Sequence, residues 1–141
     1  MMEKAIGLDL GTTTLGIATS DILGFVHGLE TLHFDRNQYV VARKRVIELV
    51  NQTGIKNIAL GLPLHLSGNN SEMSEVVLRF KDDLLKEDPT LNITLIDERF
   101  STVTAHRSIS ERGLNHKQRK ESVDRIAACV ILDTYIQMKG R

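Results

Sequence analysis

Apolar residues come in short bursts over the first third of the chain. Ala5-Ile6-Gly7-Leu8-Asp9-Leu10 is apolar apart from Asp9, and Leu15-Gly16-Ile17-Ala18-Thr19-Ser20 follows after a Gly/Thr turn. A third burst runs from Phe25 to Leu32, beyond the break at Gly24. These predict strands over 4–10, 15–20 and 25–32, and the links are too short for helical crossovers, so an antiparallel meander is expected. The period then changes. Tyr39, Val40, Val46, Ile47 and Val50 recur at helical spacing over about 37–53, with Gly54 placed as a C-terminal cap. Asn57 to Leu62 is a continuous apolar run, the mark of a strand buried on both faces. Beyond the turn-rich 63–70 segment, Met73, Val76, Val77, Phe80 and Leu84 stripe a second helix over about 71–87, which Pro89 closes off. Asn92 to Asp97 reads as a fifth strand, and a short helix over about 103–112 stops at Gly113. Asn115, with Gln118 three residues on, opens a last helix that reaches about 138. The order βββαβαβα predicts one α/β domain over 1–141, a five-stranded mixed sheet of three antiparallel and two parallel strands, covered by helices on both faces.

Composition narrows the setting. At 141 residues the chain can bury a proper core. No apolar run has the length of a membrane span and the N-terminus lacks a signal pattern, so no membrane partner is expected. Cys129 is the only cysteine, which excludes an internal disulfide and fits a cytoplasmic location. The formal charge is zero, so a nucleic-acid partner has to be argued from local clustering.

The carboxylates carry the chemistry. Strand alternation puts Asp9 on one face with Ala5 and Gly7, opposite Ile6, Leu8 and Leu10, and an ionised carboxylate on a buried face needs a partner or a metal. A plainer reading is a turn cap. Asp97 and Glu98 end the fifth strand, Asp97 in line with Ile93 and Leu95, Glu98 with Thr94 and Ile96. In the last helix Val123, Ile126, Ala127, Val130 and Ile131 form an apolar face, and Asp124 heads the adjoining line of Ala128, Ile131 and Tyr135. The plainer readings are ion pairs of Asp124 with Arg125 or Lys120, and of Glu98 with Arg99 or Arg107. Were Asp9, an acid at the end of the fifth strand (Asp97 or Glu98) and Asp124 to converge, their repulsion would call for a divalent cation. Mg²⁺ suits such a site, and two ions about 4 Å apart can activate water and stabilise a leaving oxygen in phosphodiester hydrolysis. Between Arg99 and Arg125 there are seven basic residues (Arg99, Arg107, Arg112, Lys117, Arg119, Lys120, Arg125) against three acidic ones, a candidate phosphate-binding face beside the acids. His106 and His65 are candidates for proton transfer; His27, His33 and His116 read as structural or surface residues. With few aromatics, contacts to backbone and shape are expected over base stacking.

Four blocks resemble the YqgF/RuvX family, the pre-16S rRNA nucleases also described as Holliday junction resolvase-like proteins. They are Gly7-Leu8-Asp9-Leu10-Gly11 with Gly16-Ile17-Ala18-Thr19-Ser20-Asp21; Gly61-Leu62-Pro63-Leu64 with Ser67-Gly68; Asp97-Glu98-Arg99-Phe100-Ser101-Thr102; and Lys120 with Val123-Asp124-Arg125-Ile126-Ala127-Ala128. The resemblance implies an RNase H-like nuclease domain that cleaves structured nucleic acid with Mg²⁺ or Mn²⁺, held by Asp9, Glu98 and Asp124 with Asp97 in support. It also implies processing of the 5′ end of precursor 16S rRNA, with resolution of branched DNA as the alternative, by a monomer or homodimer. Two positions depart from the family pattern. Thr12-Thr13-Thr14 stands where members carry a Lys/Arg pair, and no acid ends the fourth strand, which reads Gly61-Leu62-Pro63-Leu64. Two other classes compete. The first-strand turn also resembles the phosphate loop of actin-like ATPases and sugar kinases, but they need a second domain for which this chain has no room. A non-catalytic RNA-binding assembly factor is the other, and a carboxylate cluster is of no use to a pure binder of polyanions.

Overall fold

In the computed structural model, residues 3–65, 67–68, 71–98 and 116–140 are described, with side chains in the last helix from Val123 onward. Five strands, β1 (Ala5–Leu10), β2 (Thr14–Ser20), β3 (Val26–His33), β4 (Asn57–Leu62) and β5 (Asn92–Asp97), form one sheet in the order β3-β2-β1-β4-β5. β1, β2 and β3 are an antiparallel meander, and β4 runs parallel to both β1 and β5. The expected mixed sheet is therefore the observed one. Helices α1 (Tyr39–Thr53), α2 (Glu72–Glu87) and α3 (His116–Met138) cover its two faces. The helix expected at 103–112 and the cap at Asn115 lie outside the described residues.

Alternation sorts the strand side chains into two cores. Ile6, Leu8, Ile17, Ile58 and Leu60 pack with Val46 and Val50 of α1 and Val77, Phe80 and Leu84 of α2. Ala5, Ala18, Ala59 and Ile96 pack instead with Ala128, Ile131, Leu132, Tyr135 and Ile136 of α3. The second face is lined by small residues, so α3 lies close against the sheet. Local signals set the helix ends. Gly54 takes φ 74° and its N–H donates to the Val50 carbonyl at 2.8 Å, while Ser71 and Ser74 form a reciprocal N-terminal capping box on α2.

Two faces differ from expectation. On α1, Val40 is exposed, and Ala42 and Leu49 take the buried positions with Val46 and Val50. On α3, Val123, Ile126 and Val130 are only half-buried, and the buried seam follows Ala128, Ile131, Leu132, Tyr135 and Ile136. Asp124 thus heads the buried seam itself. Gly7 and Gly16 fit this rotation, because each lets the helix backbone come close to the sheet.

Candidate active site

Parallel pairing of β1, β4 and β5 brings their C-terminal ends to one edge of the sheet. Ligands of sheet-based sites collect at such edges. Asp9 lies near the end of β1 and Glu98 directly follows β5, its N–H donating to the Leu62 carbonyl at 3.2 Å, so the ladder continues one residue past the strand. Glu98 falls in phase with Ile96, on the α3 face, which is also the face of Asp9. Asp97 falls in the opposite phase and is exposed.

Between Asp9 and Glu98 lies Gly61 of β4. A Cβ there would come within 2.6 Å of the Glu98 Cδ and 2.8 Å of its Oε1, so the carboxyl group of Glu98 lies across the glycine toward β1. There it shares a hydrogen bond with the Asp9 carboxyl group. Burial raises both groups above the ordinary carboxylate range, and the negative charge of Asp9 lifts Glu98 further, to about 9. The shared hydrogen bond lowers Asp9 and raises Glu98. With no cation present, the proton rests on Glu98, which donates to Asp9. Asp97 adds a smaller repulsive contribution to Glu98.

Asp124 reaches this face through another glycine. Gly16 pairs with Asp9 across the β1–β2 ladder, and a Cβ on it would lie 2.1 Å from the Asp124 carbonyl oxygen. The helix backbone at Asp124 therefore rests on β2 beside Asp9, with the side-chain Oδ2 shut off from solvent. A Cβ on Gly7 would meet the Ala128 carbonyl oxygen and Leu132 Cβ, both at 2.7 Å. Gly7 and Gly16 let the α3 backbone cross β1 and β2 in close contact, and a larger residue at Gly16 would push Asp124 away. Gly7 shares the strand phase of Asp9 and Gly16 pairs with Asp9, a signal for a helix seat that hydrophobic periodicity does not register.

Asp9 and Glu98 are thus brought into contact, and Asp124 is set on the same face one strand away. Among the described residues, no three His, Cys, Asp or Glu side chains are gathered into a ready-made metal cluster. Arg125 is half-buried, with its Cβ over Gly28 of β3. Lys117, Arg119 and Lys120 fall within α3, though their side chains are outside the described residues, as are Arg99, Arg107, Arg112 and His106. His65 is exposed, and His27 pairs with Asp21 at 3.1 Å on the β2–β3 hairpin.

The donor set suits a hard cation: carboxylate oxygens only, two of the groups in mutual contact and destabilised by each other. A mixed sheet with an antiparallel meander, two parallel strands and acids at the shared edge is an RNase H-like fold. The same fold recurs in Thermus thermophilus RuvC bound to a Holliday junction substrate, with a TM-score of 0.62 and 15% identity over 99% of this chain and 98% of that one. Fowlpox virus resolvase in complex with Holliday junction DNA gives a TM-score of 0.55 and 13% identity over 98% of this chain and 99% of that one. The chain belongs to the RuvX family, described as Holliday junction resolvase, whose model it matches over residues 3–138. Proteins named as pre-16S rRNA nucleases from Staphylococcus carnosus (strain TM300) and Staphylococcus aureus (strain JH9) are 33% and 32% identical to it over 137 residues, 96% of either chain.

Proposed function

We propose that this protein is a metal-dependent endonuclease that cleaves phosphodiester bonds in the precursor of 16S rRNA, near its 5′ end. The observation that carries the reading is the Asp9–Glu98 carboxyl pair at the sheet edge, with Asp124 seated beside it on Gly16. A buried pair of carboxyl groups that cannot both ionise costs stability near neutral pH, so its presence argues for a ligand that it was built to hold. The names carried by relatives one-third identical over nearly the whole chain support the ribosomal substrate.

Asp9 and Glu98 are the residues that would hold Mg²⁺ or Mn²⁺, Asp124 contributing from α3 and Asp97 lending only negative charge. Such an ion neutralises phosphate charge and makes bound water a stronger nucleophile. The chain supplies the remainder. Gly61 and Gly16 bring the carboxyl groups onto one face, the α3 packing excludes bulk water from one side, and Glu98 gives up its proton when a cation takes its place. Arg125, with Arg99, Arg107, Lys117, Arg119 and Lys120, would contact backbone phosphates. The reading implies a cytoplasmic enzyme, and among the described residues no helix is long and apolar enough to cross a membrane.

The family's description as Holliday junction resolvase supports a second substrate, the four-way DNA junction. Symmetric resolution would need two active sites and hence a homodimer, whereas trimming an RNA end needs only one. The test is incubation of the purified protein with a precursor 16S 5′-end RNA and a four-way DNA junction, in Mg²⁺, Mn²⁺ or EDTA, beside Asp9→Asn and Asp124→Asn. Metal-dependent cutting of the RNA, lost in both folded variants, supports the proposal. Cutting of the junction alone moves the substrate to branched DNA. Binding without cutting under any metal overturns the nuclease reading.

A further inference from the structure

The β1–β2 turn stands two residues beyond Asp9, at the same sheet edge as Glu98, and the acid pair makes no use of it. Gly11 donates its N–H to the Thr14 carbonyl at 2.7 Å, which closes a tight turn with Thr12 and Thr13 at its tip. The carbonyls of the tip are occupied. Thr13 O accepts from Phe34 N–H and Thr12 O from Asn37 N–H, each at 3.0 Å. Asn37 holds φ 65° to make its contact, and its side chain accepts a hydrogen bond from the Tyr39 hydroxyl. The turn is therefore anchored from behind by the segment that leads into α1.

The donors of the tip are not occupied. Among the described residues, the N–H and hydroxyl groups of Thr12 and Thr13 have no hydrogen-bond partner, and both residues are half-exposed. A fixed turn whose carbonyls are bonded and whose N–H and O–H groups are open offers its free hydrogen bonds mainly to an acceptor, and preferentially to an anion. Both threonines also keep negative φ, the conformation that suits β-branched residues, so the donors are presented without backbone strain. The acids next door repel a free anion, so the fitting ligand is one that is tethered to a larger chain and brought in by contacts elsewhere.

We propose that Thr12 and Thr13 form an uncharged seat for one backbone phosphate of the RNA, adjoining the bond that is cut. The inference rests on the nuclease reading for its ligand. Neutral donors fix the position of a phosphate without adding positive charge next to the acid pair, so they do not compete with a cation for Asp9 and Glu98. They also release no counterions, which gives the seat a signature that a basic contact lacks.

The experiment measures binding of a labelled precursor 16S 5′-end RNA, and separately of a four-way DNA junction, by fluorescence anisotropy over a salt series. The proteins are wild type, T12V/T13V, T12S/T13S and T13R. Removing both hydroxyls is expected to weaken RNA binding about tenfold or more with the slope of log K against log salt unchanged. The serine pair, which keeps the hydroxyls, should hold affinity within about twofold, and T13R should steepen the slope by about 0.7–0.9. In Mg²⁺ the valine pair should raise KM while kcat changes little. Wild-type binding by a folded T12V/T13V overturns the seat, and so does equal loss in the serine and valine pairs. If the valine pair does not fold, amide NMR of wild type decides: the Thr12 and Thr13 N–H signals shift on RNA addition, or the seat falls. An effect confined to the junction assigns the phosphate to DNA and overturns the RNA seat. Loss of binding in T12V/T13V with no cutting by wild type under any metal leaves the seat standing and removes the nuclease reading. Cutting by wild type with KM unchanged in T12V/T13V does the reverse.

Discussion

Asp9 and Glu98 press two carboxyl groups together across Gly61, and in the absence of a cation that contact works against folding. Glu98→Gln keeps the shape and the hydrogen bond to Asp9 and is neutral in both folded and unfolded chains, so folding near neutral pH no longer has to protonate an acid raised to about 9. It should therefore raise the melting temperature in EDTA near neutral pH by a few degrees, corresponding to about 1 kcal/mol, and reduce metal-dependent cleavage by about 10²-fold or more. Differential scanning fluorimetry beside a cleavage assay reads both, and a destabilised Glu98→Gln would contradict the assigned contact. A second carboxylate behaves in the opposite way. Asp88, capping the end of α2, accepts from Lys56 Nζ at 2.8 Å and from Thr90, and these bonds lower it from 3.8 to about 2. A depressed acid contributes stability that is present above its unfolded-chain value and is lost as pH falls through its folded value. Asp88→Ala should thus unfold more readily than wild type above about pH 4, and the two should converge as the pH drops toward 2. Urea midpoints across that range check it.

The packing of α3 on the sheet rests on where side chains are missing. A Cβ on Gly16 would have to displace the helix backbone at Asp124, whereas one on Gly28 would touch Arg125 Cβ and Cys129 Sγ at an ordinary 3.6 Å. Gly16→Ala should cost about 2–3 kcal/mol of stability and take cleavage with it, while Gly28→Ala stays within about 0.5 kcal/mol, as measured by denaturant unfolding. Equal effects would show that α3 is not held by close backbone contact at β2. This element also marks the limit of what hydrophobic pattern reveals. The strands were legible because alternation and short apolar runs name them directly, and β4 and β5 fall on the residues expected. The buried side of α3 was legible in part: Ala127 and Ile131 are buried as expected, but Val123, Ile126 and Val130, as apolar as the residues of the true seam, are not. The helix backbone comes closest to the sheet over Gly7 and Gly16, and that depends on strand pairing no periodicity encodes. Val40 misleads for the same reason: α1 turns Ala42, not Val40, to the sheet.

For the whole molecule, neutrality conceals a division of labour between an acidic sheet edge and a basic stretch from Arg99 to Arg125. Much of that stretch lies outside the described residues, but Arg125 stands on α3 directly after Asp124. Arg125→Ala should weaken binding of precursor RNA and lower its salt slope by about 0.7–0.9, the signature of one lost cationic phosphate contact, and an unchanged slope in anisotropy titrations would remove Arg125 from the interface. Topology was readable from the chain because loop lengths leave few ways to join three short-linked strands to two helix-linked ones. Alternation set the phase of Asp9 and of Glu98 within each strand, but their common face comes from the pairing of β1, β4 and β5. Their direct contact was not readable either, since it depends on a glycine in the strand between them, and neither were the open donors of Thr12 and Thr13, which exist because Phe34 and Asn37 occupy the carbonyls. Calorimetric titration of Mn²⁺ into the purified protein tests most directly whether the acids are ligands of a divalent cation. Wild type should bind Mn²⁺ and release a proton on binding near neutral pH, and Asp9→Asn and Asp124→Asn should each weaken binding at least about tenfold while remaining folded. Mn²⁺ affinity unchanged by Asp9→Asn would contradict the site.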